Sequence, residues 1–105
     1  MNRKREIGTR PTPWQSIILL CGKCARKLDG GFGPNRDATL RSTLRMALKD
    51  AGHRREVRII ETRCMGLCPK KAVTAVNASR PGTIFVIPVC TPPAEVLEAI
   101  AGPSS

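Results

Sequence analysis

Tyrosine is absent from this 105-residue chain, and aromatic residues amount to 3% of it, one Trp and two Phe. A core must therefore come from Ile, Val, Leu and Ala, and the rows of rings on which single-stranded nucleic acid stacks are missing. Nucleic acid is not the expected partner on that ground. Long apolar runs are missing too: nothing approaches the roughly 20 residues needed to span a bilayer. The stretch Ser16-Ile17-Ile18-Leu19-Leu20 ahead of Cys21 is short for an exported lipoprotein's signal, and bulky Leu20 precedes the cysteine. No phosphate-binding glycine motif, Ser-His-Asp set or paired carboxylates stand out, since Gly30-Gly31-Phe32-Gly33 alone is weak. A substrate-converting enzyme is not expected. Acidic residues are scarce as well: eight against eighteen Lys and Arg, a formal +10. Such a surface favours acidic partners through long-range attraction.

Five cysteines are an odd number for a secreted disulfide framework, and no clear export signal accompanies them. The expected setting is reducing and cytoplasmic. At this length one domain can bury a core without a metal merely to fold it, so a metal here would serve chemistry. Residues 1–13, with the basic run Asn2-Arg3-Lys4-Arg5 and two prolines, read as a flexible basic tail, and the folded domain as residues 14–102.

Residues 15–20 are an isoleucine-rich buried strand that ends at Cys21. Residues 29–35, dense in glycine, form a loop. Asp37 is positioned to cap a helix whose Leu40, Leu44, Leu48 and Ala51 form one apolar stripe, with Gly52 as its stop. Arg41, Arg45 and Lys49 make a second, basic stripe suited to solvent, an acidic partner or phosphates. Residues 56–61 have the β-branched content and partial alternation of a strand that ends three residues before Cys64. Two short strands, 73–76 and 83–87, flank a turn-rich hairpin connection, and Pro93 starts a helix with Val96, Leu97 and Ile100 on its buried face. The order is strand, helix, strand, then strand, strand, helix. It predicts an α/β fold with a mixed four-stranded sheet, built from a right-handed crossover and a hairpin, which is a thioredoxin-like plan.

Two cysteine pairs stand out: Cys21-Gly22-Lys23-Cys24 and Cys64-Met65-Gly66-Leu67-Cys68. Each lets one loop direct two sulfurs at one centre, and both follow strands that the crossover would set side by side. Iron–sulfur clusters are held by four such thiolates. The sequence from about Ile17 to Val89 resembles the thioredoxin-like [2Fe-2S] ferredoxins. Cys64-Met65-Gly66-Leu67-Cys68-Pro69-Lys70-Lys71-Ala72-Val73 carries most of the likeness, including the glycine between the cysteines and a small residue before the next strand. The resemblance implies a [2Fe-2S] cluster on Cys21, Cys24, Cys64 and Cys68 and a role as a one-electron carrier. It also implies a redox partner, here one with an acidic docking surface; a homodimer stays open.

Zinc is the alternative occupant, because the first pair is tighter than the family's and zinc sites commonly use C-x2-C; the chain would then be a zinc-stabilised interaction module. A third reading makes Cys21 and Cys24 a thiol–disulfide oxidoreductase motif. Lys23, Arg26, Lys27, Arg63, Lys70 and Lys71 flank the pairs and could offset the cluster's negative charge. Cys90 reads as a buried apolar thiol that could replace Cys24 as fourth ligand. His53 suits the helix C-terminus and solvent. Trp14 is expected to anchor the start of the domain against its sheet, and Met46 to pack.

Overall fold

The apolar run ahead of the first cysteine becomes the central strand. In the computed structural model, which describes residues 6–67 and 69–102, β1 spans Ser16–Cys21. Its Ile18, Leu20 and Cys21 are almost completely buried. On one side β1 pairs in parallel with β2 (Val57–Thr62); on the other it pairs antiparallel with β3 (Ala72–Asn77), to which β4 (Phe85–Pro88) adds antiparallel. The sheet order is β2-β1-β3-β4. The four-stranded mixed sheet of an α/β fold, as read from the sequence, is what the chain adopts, with three helices among the described residues where the sequence reading had two. Ile18 lies opposite Ile59 in β2, and Leu20 opposite Ala75 in β3. Alternate residues of a strand share a face, so Ile18, Leu20, Ile59, Ala75 and Ile87 form one apolar surface within the core.

Two of the helices, α2 (Leu40–Asp50) and α3 (Pro93–Ala101), pack against each other. α2 contributes Leu40, Leu44 and Leu48, and α3 contributes Val96 and Ile100, all buried. Each such side chain contributes roughly 1.5–3 kcal/mol by leaving water. Ala51, expected on the stripe, is exposed. The start of α2 also differs from expectation. Its cap is Thr39, whose Oγ1 accepts the Ser42 N–H at 3.2 Å, and not Asp37. The reason is a bridge between Phe32 and Ala38, closed by two backbone hydrogen bonds of 3.0 Å. It holds the chain extended through Ala38, so no helix can begin at Asp37.

α2 stops as expected. Gly52 takes φ +77°, its N–H donates to Lys49 O and the His53 N–H donates to Leu48 O, a pairing that satisfies the last carbonyls of a helix. α3 is fastened to the β3–β4 hairpin instead. The buried Asn77 amide donates to Ile100 O at 2.7 Å while its Oδ1 accepts the Ser79 N–H, and Arg80 donates to the same Ile100 O at 2.8 Å.

Several other expectations are corrected. The seven residues Gly22–Leu28, to which the sequence reading gave no helix, are helix α1. β4 starts at Phe85, not at residue 83. Trp14 is 41% exposed, with the Arg58 guanidinium 5.6 Å from its ring centroid, and Met46 is 68% exposed where packing was expected. Residues 6–14 are exposed and carry no helix or strand; residues 2–5, the basic run, lie outside the described residues. Among the described residues no helix is long and apolar enough to cross a membrane.

Candidate metal centre

Strand directions gather the cysteines. β1 and β2 run parallel with Cys21 opposite Thr62, so the segments leaving both strands emerge side by side. β3 runs against β1, and Ala72 at its start faces Pro88 at the end of β4. Cys21, Cys24, Cys64 and Cys90 therefore belong to one end of the sheet.

The first pair is built by an immediate turn from strand to helix. Cys21 is the N-cap of α1, and its sulfur accepts the Cys24 N–H at 3.4 Å. Gly22 permits this: a Cβ there would stand 2.9 Å from the Thr62 carbonyl oxygen, closer than side chains come to backbone. The glycine between the cysteines thus lets the end of β1 pass against the end of β2. α1 continues through helix formers, with Arg26 and Lys27 in its last turn where cations suit the helix dipole, and ends at Asp29 in the left-handed region. Cys24 is 3% exposed, and its sulfur lies 3.9 Å from the Thr74 hydroxyl.

The second pair is only half within the described residues, since Cys68 lies outside them. Cys64 is exposed, and its sulfur accepts the Gly66 N–H at 3.4 Å. Gly66 has φ +89° with nothing near its missing Cβ, so conformation, not crowding, calls for glycine there. The loops meet through Met65, whose backbone N–H reaches the Cys21 sulfur.

The Cys21 thiol responds to this environment. Burial pushes its pKa up, but hydrogen bonds from the Cys24 N–H, the Cys24 thiol, Thr74 and the Met65 N–H prevail and bring it down to about 7. Thiolates are the form that binds soft metals and attacks disulfides. Around the loops Lys23, Arg26, Lys27, Arg63, Lys70 and Lys71 are all exposed. Among the described residues Arg41 forms an ion pair with Glu61 and His53 a hydrogen bond with Glu56, so none of those six cations is neutralised by a carboxylate.

The structure brings Cys21 and Cys24 into contact and lays the Cys64 loop against them through Met65. Among the described residues, no group of three or more His, Cys, Asp or Glu side chains is drawn together as a metal ion would require. Cys90 departs from expectation: it is exposed, not buried, has φ +68°, and its N–H donates to Gly31 O at 2.9 Å. His53 is exposed, with Nδ1 3.0 Å from Glu56 Oε2. Sequence reasoning missed Thr74 and the Met65 N–H. Neither carries a local signal, because both reach the cysteines only through the pairing of distant strands. No protein-family model, no curated protein and no solved structure matches the chain.

Proposed function

We propose that the chain is a thioredoxin-like iron–sulfur protein, similar to the [2Fe-2S] ferredoxins of that fold, that carries single electrons and does not convert a substrate. Cys21, Cys24, Cys64 and Cys68 would hold the cluster. The observation that carries this reading is the parallel register of β1 and β2, with Cys21 opposite Thr62, which sets the two cysteine loops next to each other. The donor set suits the group: sulfur ligands, one of them with a depressed pKa, and backbone N–H groups of Cys24, Met65 and Gly66 aimed at the sulfurs of Cys21 and Cys64. When bound, a [2Fe-2S] cluster supplies a one-electron couple whose potential depends on charge, hydrogen bonds to sulfur and exposure. Cys21 and Cys24 shield that end of the core from water. The six surrounding cations offset thiolate charge and present a basic face to an acidic redox partner.

Anaerobic purification with iron, sulfide and zinc analysis tests this reading. Iron and sulfide in the proportions of a [2Fe-2S] cluster, with an EPR signal after one-electron reduction, are expected. A colourless protein holding stoichiometric zinc instead makes the chain a zinc-stabilised module.

One observation favours a second reading. Cys21 caps a helix, its pKa is lowered to about 7, and Cys24 touches it from the first turn, features that an attacking thiol and its resolving partner share; because Cys21 is 0% exposed, attack on a disulfide requires the cysteine loops to part. A thiol–disulfide oxidoreductase of this kind forms a reversible Cys21–Cys24 disulfide without metal, and Cys64→Ser leaves that activity intact.

A further inference from the structure

The basic stripe on α2 does not end in open solvent. It forms one wall of a groove of about 450 Å³ beside the edge strand β2, lined by Arg41 and Arg45 from α2, Arg54 and Arg55 from the following loop, and Arg58 from β2, with Trp14 at its rim. Leu48, Val57 and Ile59 supply its apolar part. Five arginines line this space. Glu61, 3.8 Å from Arg41, is the single carboxylate paired with any of them among the described residues. Arg41 Nε is moreover buried without a hydrogen-bond partner. Concentrating like charge this way costs stability unless an anion neutralises it, and an unpaired buried donor adds to that cost.

Guanidinium forks match phosphate oxygens two at a time. The volume lies within the range of about 300–1,000 Å³ typical of small-molecule sites. The ring at the rim narrows the choice further. Trp14 is the chain's only tryptophan; Phe32 is buried and Phe85 packs against the core, leaving one accessible ring. One ring can take one base, whereas a strand of nucleic acid needs a succession of them. We propose that this groove binds the closely spaced phosphates of a nucleoside di- or triphosphate, with Trp14 beside the base.

The full-length chain, as purified, is titrated with tripolyphosphate, ATP and adenosine. Trp14 emission reports occupancy, and calorimetry supplies the Kd because Arg58 itself touches the ring. Tripolyphosphate and ATP should saturate the site while adenosine does not bind. The double variant Arg45→Gln/Arg58→Gln should weaken ATP by about 100-fold, on the order of tenfold for each charge-assisted hydrogen bond removed. Lys27→Gln/Arg36→Gln removes equal charge elsewhere and should weaken it by less than about threefold, the share of screened long-range attraction. Should the groove double variant fail to fold, Arg55→Gln in the exposed loop should still weaken ATP by about tenfold. Equal losses in the two double variants, adenosine binding as tightly as ATP, or a single-stranded oligonucleotide that binds where ATP does not compete, would each overturn the proposal.

Discussion

Gly22 does more at the cysteine end than its size suggests. Its hydrogen leaves room for the Thr62 carbonyl, where a methyl group would stand 2.9 Å away. Gly22→Ala should therefore cost about 1–3 kcal/mol, read as a lower urea midpoint; an unchanged midpoint would mean that the two strand ends are free to part. Cys21 gives a pH test in the metal-free protein. Its folded pKa of about 7 lies below the ordinary 9.0, so the folded state prefers the thiolate. The resulting stability is fully present above about pH 9 and is lost as pH falls through about 7, a contribution below about 3 kcal/mol. The urea midpoint should rise between those values, and Cys21→Ser should flatten the rise; an equal rise in the variant would sink the assignment. Residue by residue, the spacing of Cys21, Cys24 and Cys64 is visible in the sequence. Thr74 beside Cys24 is not, because only the antiparallel pairing of β1 and β3 brings it there.

At the scale of elements, legibility followed the strength of the local pattern. The leucine stripe of α2 and Gly52 behind it are plain in the sequence because helical period and left-handed backbone each demand particular residues. α1 was hidden: seven residues carry no apolar stripe, and only Gly22 and Cys24 are buried. The two candidate caps of α2 can be separated directly. Thr39→Ala should destabilise by about 1 kcal/mol, whereas Asp37→Ala should stay within about 0.5 kcal/mol of the parent; the reverse order in denaturant melts would restore Asp37 as the cap. Asn77→Ala removes both the bond to Ile100 O and the bond from Ser79 N–H and should cost about 2–3 kcal/mol. Because the bond to Ile100 fastens α3, hydrogen exchange should quicken first in that helix; uniform quickening would argue against a local role.

Across the whole molecule, the formal charge of +10 sets cations against one another in the arginine groove and around the cysteine loops. Screening relieves such repulsion, so moving from low to physiological salt should raise Tm by about 2–5 °C; a fall would show that ion pairs outweigh repulsion. The sheet's two outer strands bear on how copies of this protein meet. β4 is four residues long and ends in Pro88, which has no N–H to offer, and β2 presents Arg58 and Glu61 just after Arg54 and Arg55. Short strands, proline and charge are what keep an open edge from recruiting another chain. Two molecules at high concentration thus have little to gain by continuing each other's sheet, so edge-wise polymerisation is not the expected route by which copies would meet.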